Sequence, residues 1–441
     1  MRFRISFITF FAAGVYSFAQ TPNQKQVKQF ADNVFALSEV MLHDVASPPA
    51  ASRFYAYSIL GAYEALYLAE RKLPNINARI RHNPITEVPK RPQQANAAFC
   101  ANYTLLQVGR NIMPSGPMLV ARQQELIRFF RKKHRLSKKS IDEHVRFCEL
   151  IAAQVLASAK QDGYNKLSTL KRYTPSKEEG HWFPTPPEYM AAVEPQWKIV
   201  RPFFLDSATQ FPPPVPAAFS KEPGSDFYTQ MMEVYNIGNA LTQEQRNIAN
   251  YWDCNPFAVT YSGHMAIGLK KISPGGHWMG ITGIACGKAN LSLDSAVIVH
   301  TAVALASHDS FISCWKEKYD SDRIRPETAI NKMVDPAWRP VLQTPPFPEH
   351  TSGHSVVSAT AAVILTYLLG DHFGFIDTSE MYFGLPERKF DSFIQASDEA
   401  AISRLYGGIH FRDSCVNGVS QGKKIGNLAI DKLFRSDVSS K

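Results

Sequence analysis

The sequence is poor in cysteine and in charge, and both shortages exclude something. Six cysteines among 441 residues stand dozens of positions apart with no Cys-x-x-Cys pair, which argues against a zinc ribbon or a thioredoxin-like centre. Charged residues supply 20% of the chain and hydrophobic ones 45%, so it is neither a disordered polyelectrolyte nor a multispan membrane protein. No internal repeat and no convincing alternating strand ladder is visible. Beyond the first twenty residues no apolar run reaches the roughly 20 residues of a membrane span; the nearest, 356–369, is interrupted by Ser358, Thr360 and Tyr367.

The N-terminus reads as an export signal. Arg2 and Arg4 precede an apolar stretch, 5–15, and Ser17-Phe18-Ala19 supplies a small-x-small cleavage pattern. Residues 1–19 are therefore expected to be removed near Ala19, leaving a secreted or periplasmic protein. Removal of Arg2 and Arg4 takes the formal charge from +9 to +7. A diffuse surplus would suit polyanions or membranes, a focused one a small anion, and a mildly basic surface is the plain alternative. Export makes disulfides possible, but six cysteines allow fifteen pairings and none can be chosen; they read as free core residues or a few staples.

Apolar residues recur at three- and four-residue steps over 24–42, 52–70, 95–112, 118–133 and 140–162, and again over 227–239, 242–253, 291–319, 354–369, 397–406 and 422–433. Between about 166 and 224 the pattern stops and prolines crowd in, with Trp182, Phe183, Trp197, Phe203 and Phe204 among them. Aromatics at that density suit an ordered wrap over a surface rather than a linker. The expected architecture is all-α, two packed halves resembling four-helix bundles. An N-terminal bundle (20–165) and a C-terminal bundle (225–441) are joined by the wrapping segment (166–224) in one compact unit.

Three constellations in the C-terminal third carry chemistry. Lys318 and Arg325-Pro326 lie at the end of a long helix. Phe347-Pro348-Glu349-His350-Thr351-Ser352-Gly353-His354 runs into an apolar helix, so Ser352 and Gly353 offer a hydroxyl and free N–H groups at a positive dipole end, an anion seat. Ser403-Arg404 precedes Gly407-Gly408 and His410, placing Arg404 on a last helical turn and His410 on a tight return. Each alone has a plain reading: an exposed basic helix end, an ordinary N-cap, a loop histidine.

Together, Lys318-x6-Arg325-Pro326, Thr351-Ser352-Gly353-His354 and Ser403-Arg404-x5-His410 resemble the signature of the vanadium-dependent haloperoxidase and type 2 acid phosphatase superfamily. That family usually has Pro where this chain has Thr351. The resemblance implies a pocket for vanadate or phosphate. Lys318, Arg325 and Arg404 would neutralise the equatorial oxygens, with Ser352 and the Gly353 N–H donating to them. His410 would bond the central atom axially, as the vanadium ligand, and His354 would be the acid–base group. With vanadate as cofactor, such an enzyme oxidises a halide ion with hydrogen peroxide to hypohalous acid, Lys318 polarising the bound peroxide. With a phosphomonoester, His410 would become a phosphohistidine nucleophile.

Trp315 and Phe347 stand where haloperoxidases of this type carry aromatics on the halide side, and the size of the N-terminal bundle favours the haloperoxidase over the phosphatase. Asp253 is expected to orient Arg404 from a second layer, and His277 to line the entrance. A zinc site on His350-x3-His354 lacks the internal Glu of His-Glu-x-x-His. A non-catalytic oxyanion binder is the remaining alternative. Nucleic acid is not an expected partner; a diffusing oxidant would need no specific organic acceptor.

Overall fold

The structure, a computed structural model, describes residues 20–435 apart from 72, 263–264 and 269–270. The expected signal peptide, 1–19, lies outside the described residues. Thirteen α-helices are described: α1 (Pro22–His43), α2 (Pro48–Glu70), α3 (Ala97–Ile112), α4 (Val120–Lys133), α5 (Lys138–Lys160), α6 (Asp226–Asn239), α7 (Gln243–Tyr251), α8 (Pro274–Lys288), α9 (Leu293–Ser321), α10 (Pro326–Met333), α11 (Gly353–Leu369), α12 (Phe393–Tyr406) and α13 (Arg412–Ile430). Two antiparallel strand pairs, β1 (Val259–Ser262) with β2 (Met265–Gly268) and β3 (Phe375–Asp377) with β4 (Arg388–Phe390), and several short 3-10 turns are also described. The protein is all-α, as the helical periodicity implies.

Most helices start where a side chain can satisfy the first free N–H groups: Thr21, Ser47, Asn96, Ser137, Ser225, Thr242, Ser273, Ser292, Ser352 and Ser392 each cap one. One apolar core runs from Val27 on α1 through Leu305 on α9 to Ile425 on α13, so helices on both sides of the 166–224 segment share it. Helix α9 is the axis of that core. It is apolar enough to pass for a membrane span, with mean hydropathy 1.3, but 94% of that window is buried inside the protein. This window departs from the expectation that no segment beyond the first twenty residues reaches spanning length: His300, His308 and Asp309 interrupt the run of apolar residues, but the mean hydropathy still passes. All six cysteines are buried and unpaired.

The segment 166–224 is an ordered wrap. Trp182, Trp197, Phe203 and Phe204 are buried, whereas Phe183 is 42% exposed and anchors nothing. The Asp309 carboxylate on α9 accepts the N–H groups of Phe203, Phe204 and Leu205 at 2.7–2.9 Å, fixing the wrap to the central helix. Further along, the Val193 carbonyl accepts from Trp315 Nε1 (3.2 Å) and the Tyr319 hydroxyl (2.6 Å). The wrap thereby braces the end of α9 that carries Lys318.

Candidate functional site

The last turn of α9 carries Lys318, and the turn before it carries Trp315. Asp322, in the left-handed conformation (φ 46°), ends that helix and turns the chain so that Arg325 caps α10, with Pro326 at its first position. Ser352 caps α11. Arg404 sits on the last turn of α12. Gly408 (φ 76°) turns the chain back toward α13, a conformation that suits glycine, and a Cβ there would also press on Pro340 and Trp338 at 3.0 Å. His410 follows on this return. The three constellations thus meet at one point between helix ends.

Lys318, Arg325 and Arg404 are buried to 0, 0 and 1% exposure. Among the described residues none of them forms an ion pair; their bonds run mainly to main-chain carbonyls. Lys318 Nζ donates to the carbonyls of Pro348 (3.2 Å), Glu349 (3.1 Å) and Thr351 (2.5 Å). Arg325 donates from Nε to Phe347 O (2.9 Å) and from Nη1 to Ile409 O (2.8 Å) and His410 Nε2 (3.2 Å). Arg404 donates from Nε to Ser403 Oγ (2.9 Å) and from Nη2 to Trp252 O (2.6 Å). Burial lowers the affinity of all three for a proton, Lys318 to about 8 and Arg325 to about 10. For Lys318 this amounts to about 3 kcal/mol against the charged form. Buried charge left without a counter-ion is costly, and a bound anion is what relieves it.

The two histidines are held differently. His410 Nδ1 lies 2.8 Å from Glu349 Oε1, so its proton sits on that nitrogen and the Nε2 lone pair faces Arg325. Glu349 also accepts from the Phe411 N–H (3.0 Å) and Arg323 Nη1 (3.1 Å). Burial would raise its carboxyl, but Arg323 and His410 outweigh this and hold it well below the usual carboxylate range. His354 Nε2 is buried with no hydrogen-bond partner. Burial, then Arg404 and His410, hold the His354 imidazole neutral, and burial with Arg325 does the same to His410.

Gly353 and His354 are the partly exposed residues of this cluster, so the site opens there. A Cβ on Gly353 would meet only Trp315 Cζ3, at an ordinary 3.5 Å; the glycine keeps that space clear rather than avoiding a clash. Trp315 and Phe347 pack with ring centroids 4.9 Å apart and lie over Lys318 Nζ, at 5.7 and 5.1 Å.

Two expectations are corrected. Asp253 does not bond Arg404: its carboxylate is taken by Lys271 at 2.5 Å and reaches Arg404 only through space. The adjacent Trp252 carbonyl holds Arg404 instead. His277 does not line an entrance; it is wholly buried, stacked on Trp252 and bonded to Asp377 at 2.7 Å. His350 and His354 have separate neighbours, His350 facing Glu317 (3.3 Å) and Asn417 (3.2 Å), so they make no common metal site. Sequence reasoning missed Glu349 and Arg323. An isolated acid within a proline-stiffened approach to an anion seat was the available signal for Glu349.

The molecule is all-α, and its helix ends gather three buried cations without a carboxylate partner among the described residues, a capped N-terminus and two neutral histidines. Residues 298–436 match the family model described as the VCPO second helical-bundle domain. The chain is 38% identical to a bacterial vanadium-dependent iodoperoxidase of known crystal structure, covering 94% of this chain and 98% of that one with a TM-score of 0.85. The protein belongs to the vanadium-dependent haloperoxidase family and is an enzyme of that kind. Apo and holo structures of bacterial vanadium-dependent chloroperoxidase share the fold at 15% identity. Their TM-scores are 0.64 and 0.59, covering 87 and 95% of this chain and 93 and 96% of theirs. No curated protein sequence matches the chain.

Proposed function

We propose that the protein holds vanadate at this cluster and oxidises a halide with hydrogen peroxide to hypohalous acid. The observation that carries the reading is the trio Lys318, Arg325 and Arg404, fully buried without a carboxylate partner among the described residues. The orphaned His354 Nε2 and the space over Gly353 fit the same group. When bound, vanadate supplies an electrophilic centre at which peroxide becomes open to attack by halide. The chain does the rest. The three cations offset the anion's charge, and the Ser352 hydroxyl with the Gly353 N–H donates to its oxygens. His410, its proton held on Nδ1 by Glu349, offers the Nε2 lone pair to the central atom. His354, kept neutral, would take up a proton from peroxide at its free Nε2 and hand it on again as the acid–base group. Trp315 and Phe347 give the halide an apolar, polarizable wall and exclude water.

The name of the 38%-identical relative supports iodide, the halide easiest to oxidise, as the first to assay. Residues 1–19 support export, with a diffusing product needing no dedicated acceptor. The test measures peroxide-dependent iodide and bromide oxidation before and after vanadate loading. His354→Ala is expected to retain vanadate and lose turnover. Vanadate-independent activity together with steady hydrolysis of a phosphomonoester would replace this reading with the phosphatase one, His410 serving as nucleophile.

A further inference from the structure

A second cluster lies behind the first. Cys254, in the loop after α7, His277, in the first turns of α8, and Glu380, in the 3-10 turn Ser379–Phe383, place their ligand atoms within 4.8 Å of one another. All three side chains are at least 95% buried. His277 Nδ1 is 3.4 Å from Cys254 Sγ and 3.3 Å from Glu380 Oε1, while its Nε2 lies 2.7 Å from Asp377 Oδ2. Glu380 Oε1 is buried without a hydrogen-bond partner, its approach to the imidazole lacking hydrogen-bond geometry.

We propose that Cys254, His277 and Glu380 form a structural divalent-metal site, with zinc as the metal that the donor set selects. Zinc takes thiolate, imidazole and carboxylate together, and tetrahedral coordination at its usual bond lengths separates ligand atoms by roughly 3.3–3.6 Å. The two measured separations at His277 Nδ1 fall in or beside that interval. Asp377 completes the arrangement: by accepting a hydrogen bond from Nε2–H it holds the proton on that nitrogen and leaves Nδ1 as a lone pair on the Cys254–Glu380 side, the carboxylate–histidine pairing that orients metal-bound imidazoles. Binding displaces the Cys254 thiol proton to solvent and changes no oxidation state. The ion would tie the loop after α7 to α8 and to the turn following β3. That loop carries Trp252, whose ring stacks on His277 at 4.5 Å and whose carbonyl holds Arg404.

The test uses tag-free full-length protein, stripped with a chelator and titrated with zinc and with cobalt(II) in the absence of vanadate, so that it stands apart from the oxyanion reading. Expected are about one zinc per chain, a rise in Tm on zinc addition, and a thiolate-to-cobalt charge-transfer band. Cys254→Ser should lose the band, and Asp377→Asn should bind zinc about 10–100-fold more weakly. Absence of metal uptake by the wild-type chain, or a cobalt spectrum lacking the thiolate band, overturns the proposal and leaves His277 as an imidazolium between Asp377 and Glu380. Because both readouts are made on the wild type, a Cys254→Ser chain that fails to fold does not obscure the result.

Discussion

Replacing Glu349 with Gln changes one charge and almost no volume, and the geometry says what it should do. The carboxylate accepts three bonds, from His410 Nδ1, the Phe411 N–H and Arg323 Nη1, at 2.8–3.1 Å. Arg323 keeps its contacts with Asp413 at 2.6 and 3.0 Å, so it is not stranded by the change. The bond at risk is the one that fixes the His410 proton on Nδ1 and leaves the Nε2 lone pair a better ligand. A hydrogen bond to a charged group contributes about 1.5–3 kcal/mol. Loss of a carboxylate behind a ligating histidine typically weakens metal binding by about 10–100-fold, which is about 1.4–2.7 kcal/mol, so two independent estimates agree. Glu349→Gln should therefore weaken vanadate binding by one to two orders of magnitude while its far-ultraviolet circular dichroism stays native.

The assay is equilibrium titration of the stripped enzyme with vanadate, followed by recovery of iodide oxidation, with His410→Ala as the lower reference. Saturating vanadate should restore much of the activity of Glu349→Gln but not of His410→Ala, because the first weakens a ligand that the second removes. A Glu349→Gln chain that binds vanadate as tightly as the wild type would refute the reasoning, since His410 would then need no help in presenting Nε2.

Three further outcomes are expected. Gly353→Ala should leave Tm unchanged or slightly raised, because the new Cβ meets only Trp315 at 3.5 Å and alanine favours a helix by about 0.5–1 kcal/mol. It should nevertheless weaken oxyanion binding, measured by the same titration, by filling the seat. Affinity for molybdate, an oxyanion of constant charge in this range, should fall as pH rises through about 8, where burial places Lys318. Bound anion raises that value, so binding near this pH takes up a proton, and calorimetry in buffers of different ionisation enthalpy would read it. Asp309→Asn should lower stability, because at least one of the three N–H groups it now accepts meets an amide NH2 instead; an unsatisfied buried donor costs about 1–3 kcal/mol, and urea unfolding would show it.

Helices with one apolar face were legible because their periodicity is set by the core they pack against. Helix α8 was not: Pro274, Gly275, Gly276, Gly280, Gly283 and Gly287 mask its period, and it is buried almost all round. Helix α13 starts at Arg412, ten residues before the apolar pattern suggests. Its glycines face α11 without side chains; a Cβ on Gly422 would lie 2.2 Å from the Val356 carbonyl. Close packing of that kind replaces the apolar stripe that sequence reading relies on. Short β3 and β4 carry three residues each, too few to show alternation. At the site, the charged residues were legible through the resemblance of their spacing to the family signature, but main-chain groups were not. The acceptor for Arg404 is the Trp252 carbonyl, which any residue could have supplied, and the neighbouring Asp253 carboxylate drew the inference instead.

The placement of Glu349, a buried acid next to this cluster, explains how three cations can stay available to an anion. Had Glu349 faced Lys318, Arg325 or Arg404, it would have formed a buried ion pair and competed with any oxyanion for the same donors. Its two oxygens are instead occupied by His410, Phe411 and Arg323. Arg323 in turn is fixed by Asp413 and lies over the Phe411 ring at 4.5 Å. The negative charge is thereby close enough to ease the burial of Lys318 and Arg325 through space, yet no donor of theirs is lost to it. Carbonyls fill the same purpose at short range: they accept from the cations but carry no net charge, so an arriving oxyanion displaces them at small electrostatic cost. The arrangement keeps the cluster folded while leaving its positive potential uncancelled, which is the property that an oxyanion-dependent enzyme requires.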